Sequence, residues 1–409
     1  MANVIVIGGG AAGLLAAGTA ARRGCDVLVL ERNDRPARKL MITGKGRCNV
    51  TNNCTLVSDL VSNVPTNGRF LFSAFMRFMP NDMMELLENE GVPLKIERGN
   101  RVFPESDRAV DVVDALVGWC KNGGARIEKG RVCALLISEG RVSGVRTEDG
   151  TAYACDRVIV ATGGVSYPLT GSTGDGYALA KQAGHTVVNP QPALVPLVCH
   201  EGFCADLQGL TLKNIAMVVL DNESYKEVYR DFGELLFTHF GVSGPTVLSA
   251  SCHMKDMAKG RYSIHIDLKP ALSYEKLDER VRRDFSENSN KNFINALDSL
   301  LPKKLVPVMV RLVGVKPQTK VNQITREQRA RLVNLLKDLT VTVNGFRPVE
   351  EAVVTRGGVS VKEIDPKTMQ SKLCEGLFFA GEVIDVDAYT GGFNLQIAFS
   401  TGHLAGESV

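Results

Sequence analysis

A β-branched run followed at once by three glycines leaves a chain few ways to fold. Val4-Ile5-Val6-Ile7 has no polar face, which suits a strand buried on both sides within a parallel sheet. Gly8-Gly9-Gly10-Ala11-Ala12-Gly13 then reads GxGxxG, and the small residues that follow, Leu14-Leu15-Ala16-Ala17 and Ala20-Ala21, predict a helix that lies close to the sheet and ends at Gly24. A second strand, Val27-Leu28-Val29-Leu30, stops at Glu31, near the spacing from Gly13 that brings a carboxylate to a bound ribose. Strand, glycine turn, helix, strand and terminal acid in this order form a dinucleotide fingerprint. Gly8 permits the tight turn, Gly10 lets backbone approach a pyrophosphate and Gly13 permits close helix–strand packing, while the helix N-terminus offers N–H groups to the phosphates. Glu31 suits the adenosine ribose hydroxyls and favours a free 2′-hydroxyl, a condition that FAD and NAD both meet.

Bulk properties exclude several classes. The 409 residues are too many for one core and fit two or three domains. With 48 Lys and Arg against 45 Asp and Glu, the net charge of +3 supplies no strong field for a nucleic-acid backbone or an anionic membrane. Ten scattered cysteines show neither a CxxC pair nor a zinc-ligand spacing, so no metal is expected and free thiols in a reducing cytoplasm are. The apolar N-terminus lacks a basic leader and is broken by glycines, unlike a signal peptide, and no apolar window reaches the roughly 18 residues that span a bilayer.

Two further segments choose between the dinucleotides. Arg38-Lys39-Leu40-Met41-Ile42-Thr43-Gly44-Lys45-Gly46-Arg47-Cys48-Asn49-Val50-Thr51-Asn52 is a glycine-rich cationic loop suited to a ligand that continues past the pyrophosphate into a ribityl chain and an electron-accepting ring. Near the other end, Leu377-Phe378-Phe379-Ala380 predicts a strand leading to Gly381-Glu382, and Thr390-Gly391-Gly392-Phe393-Asn394-Leu395-Gln396 opens a final helix. Glu382 can accept hydrogen bonds from a ribityl or ribose hydroxyl. The helix N-terminus from Gly392 can face the flavin N1/C2=O edge, where its positive end favours the reduced form. Non-covalent FAD is the expected cofactor. Val158-Ile159-Val160-Ala161-Thr162-Gly163-Gly164 predicts a strand and turn that return the chain toward it.

With these segments in view, Arg38-Lys39-Leu40 through Asn49, Gly171–Tyr177, Gly233–Pro245 and Gly381–Asp385 together resemble a family of bacterial FAD-dependent oxidoreductases that contains 3-dehydro-bile acid reductases and proteins called aminoacetone oxidases. The resemblance spans nearly the whole chain. It implies an α/β fold: a Rossmann-like FAD domain of the glutathione-reductase superfamily with an inserted β-rich domain and a small helical subdomain. It also implies FAD contacts at Gly10, Ala12, Gly13, Glu31, Arg32, Lys39, Leu40, Thr43, Val132, Glu382, Asn394 and Leu395.

The expected boundaries are 1–190 for the first FAD-binding segment, 191–272 for the inserted β-rich domain, 273–341 for its helical subdomain and 342–409 for the second FAD-binding segment. Residues 126–160 read as a meander with turns at Glu139-Gly140 and Asp149-Gly150, and Val132 on its first strand could reach adenine through its backbone. Ile215–Leu220 and Tyr262–Leu268 alternate as strands, and Leu277–Phe285, Phe293–Leu301 and Arg326–Leu336 are helix-periodic.

For chemistry the candidates are Arg47, Cys48, His239, Arg356 and Tyr389. The first four have two readings: Arg47 and Cys48 beside the ring or packing the loop, His239 facing substrate or satisfied in the core, Arg356 near the flavin or in a salt bridge; Tyr389 is expected to line the pocket over the ring. The leading expectation is an enzyme in which NAD(P)H reduces FAD and the flavin N5 passes hydride to a small organic acceptor such as an enone. Without a second GxGxxG domain, the nicotinamide would bind transiently and in turn with the substrate. An amine or alcohol oxidase using oxygen, and a flavoprotein acting on RNA, are the alternatives. No nucleic-acid or membrane partner is expected.

Overall fold

The structure is a computed structural model and describes residues 2–409. It divides into two compact units, one of residues up to Ala193 together with Pro348–Val409, the other of Leu194–Arg347.

The first unit is built on a five-stranded parallel sheet ordered Leu377–Phe379, Arg157–Val160, Asn3–Ile7, Asp26–Glu31 and Arg126–Lys129. Val4 to Ile7 and Val27 to Leu30 are buried, as strands covered on both faces must be. The helix Ala11–Arg22 follows the glycine turn, and its small residues let two other helices approach it. A β-carbon on Gly402 of the final helix, Phe393–Ser408, would lie 2.4 Å from the Ala12 carbonyl oxygen. One on Gly18 would lie 2.1 Å from the ring of Trp119, on the helix Ala109–Asn122. Arg126–Lys129 and Arg157–Val160 belong to the parallel sheet, which narrows the expected meander to Val132–Ser138, Arg141–Thr147 and Ala152–Ala154.

The second unit is a closed barrel of six antiparallel strands ordered Leu197–Cys199, Gly241–Ser243, Lys226–Thr238, Thr211–Asp221, Tyr262–Asp267 and Leu339–Phe346. The helices Tyr274–Glu287, Val306–Val313 and Arg326–Lys337 share one hydrophobic core with it, so the helical segment is no separate body. Here the structure corrects the expected boundary at 342. Residues 342–347 stay in the barrel because Leu339, Val341 and Val343 point into its core while the chain pairs with both Tyr262–Asp267 and Leu197–Cys199.

A buried histidine ties the loop after Glu363 to the first unit's sheet. The His185 side chain is fully enclosed, with Nε2 2.7 Å from Ser371 Oγ, Nδ1 3.2 Å from Glu363 Oε2 and its ring edge on Phe379. Serine, histidine and carboxylate lie in the order of a hydrolase relay. Ser371 Oγ, however, already accepts the N–H groups of Leu373 and Cys374, so it caps a turn and is no free nucleophile. Burial pushes the His185 pKa down against the pull of Glu363. The unfolded chain therefore takes up a proton near pH 6.5 that the folded chain refuses, and stability falls as pH drops below about 6.5, by at most about 1.4 kcal/mol per pH unit. His185→Gln should remove this component, so urea unfolding of both proteins between pH 7.5 and 5 should show the stability gap closing toward acid.

Candidate functional site

The glycine turn divides its labour as the motif requires. Gly8 has φ +99°, and a β-carbon there would lie 2.7 Å from the Ala161 carbonyl oxygen; on Gly13 it would lie 1.9 Å from the Gly8 carbonyl oxygen. Gly10 alone of the three faces open space, with no atom of the described residues other than its own chain neighbours within 4 Å of the position a β-carbon would take. That gap is where a pyrophosphate can meet the first turn of the helix.

Glu31 is buried at the end of its strand. Its Oε2 accepts the Gly9 N–H at 2.7 Å, and its Oε1 accepts Asn33 N and Nδ2 at 2.8 and 2.7 Å. A carboxylate oxygen accepts more than one hydrogen bond, so Oε2 keeps room for a ribose hydroxyl. Gly130 N, two residues before Val132 in the chain, donates to the Glu31 carbonyl at 2.9 Å. Arg32 is spoken for: its guanidinium bonds Thr173 and Asp175, and Arg131 bonds the same carboxylate. Glu31→Ala should weaken FAD binding by about 1–3 kcal/mol, the scale of hydrogen bonds to a charged group at an enclosed site. Fluorescence titration of the apoprotein with FAD reads this, and unchanged affinity would remove Glu31 from the site.

A second polar cluster surrounds Glu382. Lys39 Nζ is 2.9 Å from Glu382 Oε2 and 3.0 Å from Ser166 Oγ; Glu382 Oε1 accepts Ser166 Oγ at 3.1 Å and Thr355 N at 2.8 Å. Burial opposes ionisation of Glu382, but Lys39 and these donors outweigh it and hold its pKa below the usual carboxylate value. Two hydroxyls beside this region, Thr162 Oγ1 and Tyr177 Oη, are buried without a hydrogen-bond partner among the described residues, and built β-carbons on Gly163 and Gly164 would reach Glu382 at 3.9 and 3.2 Å. Two unmet hydroxyls beside an ionised carboxylate fit a polyhydroxylated ligand. Leu40 is buried, and Thr43 Oγ1 donates to its carbonyl at 2.7 Å.

The return segment refines the expectation for Gly392. This residue has φ +101° and caps the final helix, but its N–H is taken by the Asn49 side-chain oxygen at 3.0 Å. Gln396 N makes the first bond of the helix ladder, to the Gly392 carbonyl at 3.1 Å. The amides of Phe393, Asn394 and Leu395 are therefore the ones without an intrahelical acceptor. The Asn394 side chain braces the incoming loop through the Ala388 N–H and the carbonyls of Ala388 and Tyr389. Gly381 is a packing residue as well, with φ +76°, a built β-carbon 2.8 Å from that of Ala12, and its N–H on Thr401 Oγ1.

Most of the catalytic candidates have structural partners. Arg47 lies over the Phe103 ring and bonds Glu97 and Asp107. Cys48 is wholly buried, and burial pushes its thiol up to about 12 against a hydrogen bond with Thr43, which removes it as a nucleophile. Arg356 bonds the Gln191 side chain at 2.8 Å, and Tyr389 N donates to the Asn63 carbonyl. His239 belongs to the barrel unit, exposed on a turn and edge-on to Phe240. Sequence reasoning missed Ser166, Thr355, Asn33, Thr51 and Asn52. Of these, Thr51 and Asn52 stood inside a motif already singled out, while the others carried no signal beyond residue type.

Fold and site together define an FAD-dependent oxidoreductase. The profile described as HI0933-like protein Rossmann domain matches residues 2–408, and the chain belongs to that family. It is 32% identical over 399 residues to the ribosomal RNA dihydrouridine synthase of Escherichia coli, covering 98% of this chain and 96% of the relative. It is also 32% identical over 420 residues to the 3-dehydro-bile acid delta(4,6)-reductase of Clostridium scindens, covering 100% and 99%. A solved 3-ketosteroid delta1-dehydrogenase from Sterolibacterium denitrificans shares the fold at 14% identity and a TM-score of 0.52, with 99% of this chain and 98% of that one aligned. Among the described residues no helix is long and apolar enough to cross a membrane.

Proposed function

We propose that this protein reduces a carbon–carbon double bond conjugated to a carbonyl in a small organic acceptor, with NAD(P)H as the electron donor. The observation that carries the reading is full-length likeness to a delta(4,6)-reductase of a 3-dehydro substrate. A dihydrouridine synthase, by its product's name, also adds two hydrogens to a ring double bond. FAD, when bound, supplies the two-electron carrier. The chain's own contribution is to hold that carrier at both ends: the Gly8–Gly13 turn and Glu31 at the adenosine half, Lys39 and Glu382 at the middle, and the amides of Phe393, Asn394 and Leu395 at the ring. Those amides stabilise negative charge on the ring edge in the reduced state. Residues 194–347 form a barrel and helices instead of a second Rossmann unit, which supports a nicotinamide that binds by turns with the acceptor. All ten cysteines are free, which supports a cytoplasmic setting.

Anaerobic mixing tests the reading. NADH or NADPH should bleach the flavin, and a conjugated enone should restore its colour faster than oxygen does. Bleaching by an amine or alcohol with rapid return in air would replace the reductase with an oxidase. Recovery of colour with ribosomal RNA and not with any enone would move the acceptor to a uracil ring.

A further inference from the structure

The segment after the cationic loop grips the return segment, at the opposite end of the sequence, at three points. The Asn49 amide is flanked by two carbonyls on one side and one N–H on the other, which fixes its orientation. Its nitrogen donates to Val102 O at 3.2 Å and Thr51 O at 3.1 Å, and its oxygen accepts Gly392 N at 3.0 Å. Asn52 Nδ2 donates to the Gly391 carbonyl at 3.1 Å, and to Gly99 at 3.0 Å. Thr51 Oγ1 donates to Gln396 Oε1 at 2.6 Å, and Gln396 in turn donates to Phe78 O and Ser400 Oγ in a buried network. Thr51 also sets the distance: a β-carbon on Gly392 would lie 2.3 Å from its carbonyl carbon.

We infer that Asn49 and Thr51 are positioning residues for the final helix, and that they tune the potential of bound FAD without touching it. Both roles rest on FAD occupying the site proposed for it, and not on the choice of electron donor or acceptor. Asn49 holds the left-handed Gly392 turn and consumes its N–H. This aims the next three amides, of Phe393, Asn394 and Leu395, at one point beyond the helix end. A pole fixed in this way costs little reorganisation when charge arrives on the ring. Without the Asn49 acceptor the Gly392 N–H must find another partner, the turn relaxes, and the amides lose their common aim. Reduced flavin, which carries the extra charge, then loses more than oxidised flavin does.

The test is the midpoint potential of FAD in the full-length holoprotein, titrated anaerobically with xanthine and xanthine oxidase against a reference dye. Neither NAD(P)H nor an organic acceptor takes part, so the outcome is independent of the proposed reaction. Asn49→Leu, close in size but unable to accept or donate, should bind oxidised FAD nearly as well as wild type while its preference for reduced over oxidised FAD falls about tenfold. That ratio corresponds to a midpoint about 30 mV lower. Thr51→Val, isosteric and one step removed, should shift the midpoint the same way by a smaller amount, and it decides the matter if Asn49→Leu does not fold. A merely structural role would lower thermal stability and leave the potential alone. Folded, FAD-replete variants with the wild-type midpoint would overturn the inference.

Discussion

Gly10→Ala should yield a protein that folds as well as wild type and binds FAD far more weakly, whereas Gly13→Ala should destabilise the first unit itself. The two glycines share one motif, yet their surroundings differ. Gly10 has φ −81° and ψ −170°, an extended conformation open to any residue, and beyond its own chain neighbours no atom of the described residues lies within 4 Å of its missing β-carbon. An added methyl meets only the approaching ligand. It should cut FAD affinity by at least about a hundredfold, or some 2.7 kcal/mol, while the apoprotein's Tm stays within a degree or two. Gly13 meets its own chain, since the methyl would sit 1.9 Å from the Gly8 carbonyl oxygen, and Gly8 is itself pinned against Ala161. Strand and helix must part to admit it. Overpacking against backbone costs about 3 kcal/mol or more, which lowers Tm by about 6–12 °C for a unit of this size. Differential scanning fluorimetry on both apoproteins, with FAD titration of the survivor, separates the roles. Equal Tm losses in the two variants would contradict the division of labour.

That division is legible in the sequence because every part of it is local. Strand period, glycine positions and the acid at the end of the second strand all fall within Val4–Glu31, where the chain's own geometry dictates neighbours. The barrel is legible only in part. Alternation marks Ile215–Leu220 and Tyr262–Leu268 as strands, but closure depends on Leu339–Phe346 pairing with Leu197–Cys199, on the far side of the whole helical segment in sequence. Alternation shows that a segment is a strand and does not name its partner, so the sequence reading places residues 342–347 in the wrong unit. The same limit explains the site. Glu382 is recognisable from its Gly-Glu setting, while Ser166 and Thr355, which surround it, come from two other parts of the chain. Gly392 is recognisable as a helix start, but that its N–H belongs to Asn49 depends on a contact between opposite ends of the sequence.

Lys39→Met is the substitution for which the cluster predicts the largest single loss outside the glycines. Methionine keeps the length and apolar stem of lysine and removes the charge, leaving the Glu382 carboxylate with Ser166 and Thr355 N as its remaining donors. Breaking a buried ion pair from one side costs about 3–5 kcal/mol. The lower end applies here, about 3 kcal/mol, because 20% of the Glu382 side chain is still exposed. In the wild type the Glu382 pKa is depressed, so its contribution is full above the unfolded carboxyl pKa near 4.3 and fades as pH falls through the folded value. In Lys39→Met burial acts without its counterweight and the Glu382 pKa rises above the unfolded value. The variant's deficit should therefore grow as pH rises from about 4 and level off once the raised pKa is passed. Adding Glu382→Gln to Lys39→Met removes the stranded charge while keeping a hydrogen-bond acceptor for Thr355 N, and should recover more than half of the lost stability at pH 8. Each single change alone should cost more than the pair together, the signature of two groups that act as one. Chemical denaturation of wild type, both single variants and the double variant at pH 5 and pH 8 gives the full cycle. A deficit in Lys39→Met that does not change with pH, or a double variant no more stable than Lys39→Met, would mean that Lys39 supports the fold by its packing and not by holding Glu382 ionised.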